Sequence, residues 1–205
     1  MFYKVIKTLA AIVFSLFMPS RTIGKENIPK EGGFILALNH RSNFDVVFAA
    51  ISCDRILHFM AKKELFKYKI VAWFAKKVNA FPVDRAGNDI KAIKKALSVL
   101  KDGLALCIFP EGTRVKDGES VDAKAGVSML AIRTKVPVVP GAIVGEYKLF
   151  HKIHIIYGEP ISLEEYYDSK PNNEQLLQIS GEIMDKIKKM DKDAKKTLAK
   201  REKLR

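Results

Sequence analysis

Short apolar segments alternate with amphipathic helical segments along most of the chain after Pro19. Six of the apolar segments are bounded by Gly, Pro, Asn or charged residues, which is typical of short buried strands. They cover residues 34–38, 56–60, 78–83, 104–109, 136–143 and 152–157. Strands that alternate with helices favour a parallel sheet with helices on its faces. We therefore expect an α/β domain with a mainly parallel, helix-covered sheet of about six or seven strands.

The clearest helical pattern lies between residues 88 and 103. Asn88 is placed to cap the start of this helix, and Gly103 is placed to end it. Apolar residues recur between them at helical spacing, at positions 90, 93, 97 and 100. The lysines at positions 91, 94, 95 and 101 are expected to form a solvated face rather than a binding site.

Residues 2–18 are largely apolar, but their uninterrupted apolar run is too short for the roughly 20 residues that span a bilayer. On a helix, one narrow side would carry Lys4, Lys7, Ala11 and Ser15, and the remaining surface would be apolar. This combination favours a helix that lies in a membrane interface. A buried core helix and a cleaved secretory signal are the alternatives. We expect a membrane-associating helix over residues 1–20, an α/β domain over 21–190 and a basic tail over 191–205.

The chain has 205 residues, and 36 Lys and Arg against 23 Asp and Glu give it a net charge of +13. This surplus predicts a polyanionic partner, either nucleic acid or an anionic membrane surface. Nucleic acid is disfavoured, because the sequence carries no common DNA- or RNA-binding signature. The two cysteines lack metal-ligand spacing, which argues against a zinc site or a disulfide scaffold and for a reducing cytosolic compartment.

The first candidate site is the segment NHRSNFD at residues 39–45, which directly follows an apolar strand. In open α/β sheets, ligands bind beyond the carboxyl ends of the strands. From the start of the next helix, the Asp45 carboxylate could hold one nitrogen of His40 and leave the other as a proton acceptor. No positioned Ser or Cys nucleophile accompanies the pair, so this general base would activate a substrate hydroxyl. The alternative is a His–Asp pair that only caps the helix.

The second candidate site is FPEGTR at residues 109–114, which follows another apolar strand. The guanidinium of Arg114 offers a planar set of donors that suits phosphate oxygens. Glu111 could accept a hydrogen bond from a substrate hydroxyl or hold Arg114 in place. Arg85, in the segment FPVDR, also lies just past a strand. The alternative is a surface turn with a local Glu–Arg pair.

In this order, NHRSNFD, FPVDR, FPEGTR and VPVVPGAI resemble the four sequence blocks of the glycerolipid acyltransferase family. The resemblance is to its bacterial 1-acylglycerol-3-phosphate acyltransferases in particular. It extends from about residue 23 to residue 160 and includes AKKEL at residues 61–65. The hexapeptide FPEGTR is highly specific for this family.

The resemblance implies transfer of a fatty acyl group from acyl-CoA or acyl carrier protein to the sn-2 hydroxyl of lysophosphatidic acid. His40 would be the general base and Asp45 its partner, and no metal or other cofactor is implied. The substrate-binding residues would be Glu111, Gly112, Thr113, Arg114, Arg85 and Lys62. A sister enzyme acting on glycerol 3-phosphate or another lysolipid is one alternative, and a non-catalytic membrane-binding protein is another.

Two further segments are rich in basic residues. Residues 62–77 carry six lysines against one acidic residue, with apolar and aromatic side chains between them. Residues 186–205 carry ten Lys and Arg against three acidic residues. Each basic residue near an anionic leaflet adds about 1 kcal/mol, and an apolar helix with a basic surface can hold a protein on a bilayer. We expect a peripheral or monotopic protein on the cytoplasmic face of the cell membrane.

Overall fold

The computed structural model describes residues 2–84, 87, 89–116, 119 and 121–202, and they form seven strands and six helices. The strands are β1 (Ser20–Ile23), β2 (Phe34–Leu38), β3 (Leu57–Lys62), β4 (Ala80–Val83), β5 (Ala105–Ile108), β6 (Val138–Val144) and β7 (Ile153–Tyr157). The helices are α1 (Phe2–Phe17), α2 (Asp45–Ser52), α3 (Lys69–Lys77), α4 (Ile90–Lys101), α5 (Gly126–Thr134) and α6 (Asn173–Glu202). None of these helices is both long and apolar enough to cross a membrane.

All seven strands belong to one sheet, in the order β1-β7-β6-β2-β5-β3-β4. Every neighbouring pair is parallel except β6 and β7, which run antiparallel. The predicted α/β class with a mainly parallel sheet is therefore confirmed. In the middle of the sheet, Ala37 of β2 lies between Ile108 of β5 and Pro140 of β6. Because these strands are parallel, the loops that follow them leave the sheet at one edge.

The hydrophobic core lies on both faces of the sheet. The central strands β2 and β6 are buried along their whole length, as expected for strands covered on both faces. Ile35 and Ala37 of β2 face the helices α4, α5 and α6, whereas Phe34, Leu36 and Leu38 face α2 and the inner side of α1. This alternation follows from the two-residue period of a strand. Each fully buried Leu, Ile or Phe side chain contributes roughly 1.5–3 kcal/mol.

Helix α1 packs on the domain with one side and leaves the other side open. Tyr3 and Met18 are buried, and the Phe14 ring lies 5.2 Å from that of Phe48 in α2. Lys7, which the sequence placed on a basic outer side, instead donates a hydrogen bond from Nζ to the Cys53 carbonyl oxygen. The exposed side of α1 carries Val5, Leu9, Ile12, Val13, Leu16 and Phe17, together with the polar residues Lys4, Thr8 and Ser15.

Strand β1 was missed by the sequence pattern, because its four residues, SRTI, show no apolar alternation. It is an edge strand, and its pairing with β7 holds it in place. The strand expected over residues 78–83 begins only at Ala80. Val78 closes the end of α3 by donating from its backbone nitrogen to the Phe74 oxygen, and Asn79 adopts a φ of 61°. Other strand bounds differ from expectation by one or two residues, except that β2 matches.

The helix ends also differ in part from expectation. The α4 helix is capped by Asp89, whose side chain accepts a hydrogen bond from the backbone nitrogen of Ala92 at 3.0 Å. Asn88, the predicted cap, lies outside the described residues. The basic segment 62–77 divides into the end of β3, a short 3-10 turn over Lys63–Lys67 and α3, which has no buried residue. At the other end of the chain, α6 continues through residue 190 without a break.

Candidate active site

The two motif loops lie side by side at the carboxyl edge of the sheet. NHRSNFD follows β2 and FPEGTR follows β5, and these strands are neighbours in the centre of the sheet. The loops are also joined directly through the backbone of His40. Its nitrogen donates to Glu111 Oε2 at 3.0 Å, and its carbonyl oxygen accepts from the Val115 nitrogen at 2.8 Å. The backbone position of His40 is thus fixed from both sides.

His40 and Asp45 form a hydrogen-bonded pair. His40 Nδ1 lies 2.9 Å from Asp45 Oδ2, and the same oxygen accepts from the backbone nitrogens of Arg41 at 2.6 Å and Ser42 at 2.7 Å. Asp45 is fully buried at the first position of α2, where a negative charge is favoured. Since an ionised carboxylate can only accept, the proton lies on Nδ1 and the lone pair on Nε2. His40 Nε2 forms no hydrogen bond with a described residue.

The imidazole ring of His40 also stacks on an aromatic ring. Phe109, the first residue of FPEGTR, stacks on the imidazole with a centroid distance of 4.0 Å and an interplanar angle of 19°. The ring is therefore fixed by the Asp45 hydrogen bond in its plane and by Phe109 on its face.

Glu111 supports His40 rather than Arg114. Its side chain is 5% exposed and accepts from the His40 backbone, and no hydrogen bond or ion pair joins it to Arg114. Burial is the main reason that the pKa of Glu111 rises to about 7, and the nearby Asp45 carboxylate adds to the rise. The His40 N–H and the positive charge of Lys188 oppose it. Glu111 is thus a second carboxyl group of the site, with a charge that changes near neutral pH.

The other predicted binding residues lie in the FPEGTR loop, at the end of β3 and outside the described residues. Thr113 and Arg114 are exposed, and the Arg114 guanidinium makes no hydrogen bond or ion pair with a described residue. Lys62 is exposed at the end of β3, with Nζ 3.8 Å from Glu64 Oε1. Arg85 lies outside the described residues.

The backbone conformation of the FPEGTR loop favours glycine at position 112. The φ of Gly112 is 67°, and its backbone nitrogen donates to the Phe109 carbonyl oxygen at 2.9 Å, which closes the turn. An added Cβ would lie 2.8 Å from Cε of Lys124, a cation that passes over the loop. Sequence reasoning did not single out Lys124, because no motif neighbour identifies it.

Two further residues of the site were also missed. The Asn39 side chain bonds both ways to Ile143 of β6, donating to its oxygen at 3.1 Å and accepting from its nitrogen at 2.7 Å. Tyr147, in the turn after β6, donates from its hydroxyl to Asp45 Oδ1. A buried Asn at the end of an apolar strand was an available signal for the first, whereas the Tyr147 contact spans 102 residues and had none.

A cavity of about 510 Å³ opens next to the FPEGTR loop. Its volume is within the range of about 300–1,000 Å³ that is typical of ligand pockets. Phe109, Pro110 and Gly112 form the wall nearest to the site, and Lys124 lies at the same wall. The rest of the lining is mostly apolar and includes Met60, Ile93, Ile108, Met129, Leu130 and Leu176.

Glu111→Gln tests the titration of the buried carboxyl, because it keeps an oxygen acceptor for the His40 backbone. With a folded-state pKa of about 7 against an ordinary value of 4.5, the folded protein binds this proton more tightly than the unfolded chain. The free energy of unfolding must therefore fall as the pH rises through this interval. We expect the melting temperature of the wild type to fall more steeply than that of Glu111→Gln between these two pH values. The exposed Glu31→Gln is the control, and equal slopes for Glu111→Gln and wild type would contradict the assignment.

The chain is similar to proteins of one family along most of its length. The family model described as Acyltransferase matches residues 20–144. The chain is 34% identical over 195 residues to the 1-acyl-sn-glycerol-3-phosphate acyltransferase of Bacillus subtilis (strain 168), covering 92% of this chain and 96% of that protein. It is 29% identical over 204 residues to the enzyme of the same name from Streptococcus pneumoniae, covering 95% and 75%.

A solved structure gives the same result. The crystal structure of the 1-acyl-sn-glycerophosphate (LPA) acyltransferase PlsC from Thermotoga maritima superposes with a TM-score of 0.75 at 30% identity, covering 94% of this chain and 79% of that one. The family resemblance seen in the four sequence blocks is thus confirmed. The chain belongs to the acyltransferase family and is an O-acyltransferase.

Proposed function

We propose that this acyltransferase transfers a fatty acyl group from a thioester, carried on coenzyme A or acyl carrier protein, to the sn-2 hydroxyl of 1-acylglycerol 3-phosphate. The product would be phosphatidic acid. The observation that carries this proposal is the buried His40–Asp45 pair, which leaves His40 Nε2 as an acceptor at the edge of the sheet. The names of the Bacillus and Streptococcus relatives support the choice of acceptor.

In the proposed reaction, His40 Nε2 accepts the proton of the sn-2 hydroxyl as that oxygen attacks the thioester carbonyl carbon. The carbon–oxygen ester bond forms, the carbon–sulfur bond breaks, and the imidazolium returns the proton to the departing thiolate. Asp45 stabilises the imidazolium in between, and Phe109 keeps the ring plane fixed. General base catalysis of this kind accelerates a reaction by about 10²–10⁴-fold.

Direct transfer is favoured over a covalent acyl-enzyme. Cys107 lines the cavity, but it is almost fully buried, and this burial raises the pKa of its thiol well above the usual range. A thiol in that state is a poor nucleophile, because the thiolate is the reactive form. No hydroxyl or thiol of a described residue is hydrogen-bonded to His40.

His40→Ala should lower kcat by at least about 10²-fold, because the hydroxyl proton then has no acceptor. Asp45→Asn should also lower kcat by orders of magnitude, since an amide stabilises the wrong imidazole tautomer. Formation of phosphatidic acid from 1-acylglycerol 3-phosphate and acyl-CoA or acyl carrier protein is the measurement. His151→Ala changes an exposed histidine and is the control. If folded His40→Ala kept more than a tenth of wild-type turnover, His40 would not be the base.

The acceptor phosphate would be bound by cations around the FPEGTR loop. The exposed Arg114 is available for this contact, because no described side chain neutralises it. Lys62 is a weaker candidate, since Glu64 lies beside it. Arg85 is included on the motif match alone. Glycerol 3-phosphate carries the same phosphate and is the second candidate acceptor.

Arg114→Ala should lower kcat/KM for 1-acylglycerol 3-phosphate by about ten- to a hundredfold, the value of a lost charge-assisted hydrogen bond. The KM of the acyl donor should change much less. Lys101→Ala removes the same charge at the end of α4, outside the two motif loops, and is the control. Equal weakening of both substrates would mean that Arg114 acts on the loop as a whole. Parallel assays with glycerol 3-phosphate separate the two acceptors.

The mostly apolar cavity beside Phe109 is a suitable place for a fatty acyl chain. It begins at the loop that stacks on His40 and continues between the sheet, α4 and α5. An acyl chain bound there would bring its thioester carbon toward the site, while burial of its methylene groups would supply about 0.8 kcal/mol each.

We also propose that the enzyme docks on the cytoplasmic face of the membrane through one continuous surface. This docking surface consists of the exposed side of α1, the helix α3 and the turn residues Leu149 and Phe150. Phe2 of α1 contacts the Trp73 ring of α3 at 5.6 Å, and Phe17 lies 6.5 Å from Phe150, so aromatic contacts join the three parts. Ile70 is 84% exposed and Phe150 73% exposed. An apolar surface of this extent indicates an interaction site.

The double variant Leu9→Glu, Leu16→Glu should weaken binding to vesicles that contain anionic phospholipid, because both side chains point outward from α1. Co-sedimentation at low and high salt is the measurement. High salt should weaken the binding of the wild type to the vesicles without releasing it fully, whereas it should release the variant from them. Leu177→Glu alters a leucine of similar exposure on α6 and is the control. If the double variant sediments like the wild type at high salt, the α1 face is not the docking surface.

A further inference from the structure

Asp45 is held through both of its carboxylate oxygens. Oδ2 accepts from His40 Nδ1 and from two backbone nitrogens. Oδ1 accepts from the hydroxyl of Tyr147, a residue 102 positions further along the chain. Because Asp45 is fully buried, water does not compete for these positions. The Tyr147 hydroxyl therefore adds the contact on Oδ1 that, with the donors on Oδ2, fixes the rotation of the carboxylate.

The Tyr147 ring is itself confined. The Phe48 ring of α2 lies 6.3 Å from it on one side, and the Arg41 guanidinium lies 5.9 Å above its centroid. Arg41 is fixed in turn, because its Nη2 donates to the Ile143 oxygen at 2.5 Å and lies 4.0 Å from Asp191 of α6. Contacts from α2, β6 and α6 thus keep the phenol directed at Asp45.

The turn that carries Tyr147 is fixed at both ends. It leaves β6 at Gly145, where φ is 134° and an added Cβ would lie 2.7 Å from the Lys152 carbonyl oxygen. Near its other end, the Phe150 backbone nitrogen donates to the Phe17 oxygen of α1 at 2.6 Å. A larger residue at position 145 would therefore displace the backbone that delivers Tyr147.

We propose that Tyr147 is a positioning residue for acyl transfer: its hydroxyl orients Asp45 so that Oδ2 stays on His40 Nδ1. This inference rests on the proposed function of His40 as the general base. Tyr147 touches no reacting atom and acts through Asp45. Without its hydroxyl, Oδ1 is left as a buried acceptor without this donor, and the carboxylate loses the contact that holds it on the side opposite to the imidazole.

Tyr147→Phe removes this one hydroxyl and keeps the ring. We expect kcat to fall about ten- to a hundredfold, the value of a hydrogen bond to a charged group. The KM values of both substrates should stay within about twofold, because the Tyr147 hydroxyl is bonded to Asp45 and would act through it. The matched control is Tyr157→Phe, which removes another buried tyrosine hydroxyl, one bonded to Ser52. Its kcat should equal that of the wild type.

A double-mutant cycle separates positioning from general damage. In an Asp45→Asn background, Tyr147→Phe should lower kcat much less than in the wild type, because the carboxylate that it orients is already gone. Equal losses in both backgrounds would mean that Tyr147 acts independently of Asp45. An unchanged kcat in Tyr147→Phe, with His40→Ala inactive, would overturn the inference and leave the proposed function intact.

An NMR measurement on the protein without substrate tests the role of Tyr147 even if 1-acylglycerol 3-phosphate is not the substrate. The His40 Nδ1 proton is shared with Asp45, so its NMR resonance reports the geometry of that hydrogen bond. Tyr147→Phe should shift or broaden this resonance, and Tyr157→Phe should leave it in place. An unshifted resonance in Tyr147→Phe would contradict the positioning role, whatever the activity of the wild type.

Discussion

The parallel pairing of β2 with β5 is the constraint on which the site depends. Both strands lie in the middle of the sheet, and their pairing sends the two motif loops out at the same edge. A shift of the register by one residue would turn every side chain of a strand to the opposite face. The burial of β2 on both faces makes such a shift costly. The hydrogen bonds of His40 to Glu111 and Val115 then fix the loops to each other.

Two buried carboxyl groups flank His40, and their surroundings differ. Asp45 accepts hydrogen bonds from His40 Nδ1 and from the backbone nitrogens of Arg41 and Ser42. Glu111 accepts a hydrogen bond from the His40 backbone N–H. Its carboxyl group is nevertheless buried, and this burial raises its pKa to about 7. One carboxylate can therefore stabilise an imidazolium, while the other supports the backbone with less charge. A negative charge on Glu111 would be repelled by the nearby Asp45 carboxylate, which contributes to the raised pKa of Glu111.

The sequence was sufficient to predict the sheet class, the two motif loops and the His40–Asp45 pair as a local arrangement. Those features depend on short-range patterns: apolar runs, helix starts, and the four residues between His40 and Asp45. What it could not predict depends on distant pairing. The role of Tyr147 arises from a turn that folds back on α2, and Lys7 turns inward because the Cys53 carbonyl is there to accept. The hydrogen-bond partner of Glu111, the His40 backbone nitrogen, likewise lies in the loop after a neighbouring strand that is distant in sequence.

The edge position of β1 has a consequence for the order of assembly. Ser20 pairs with Ile153 and Ile23 with Ile156, so β1 can pair only after β7 has been made. During synthesis, α1 is complete long before the strand that holds β1 beside it exists. Contacts between segments that are distant in the chain form late. The hydrogen bond from the Phe150 backbone nitrogen to the Phe17 oxygen of α1 likewise forms only after the turn before β7 has been made, so α1 and β1 complete their contacts with the domain together.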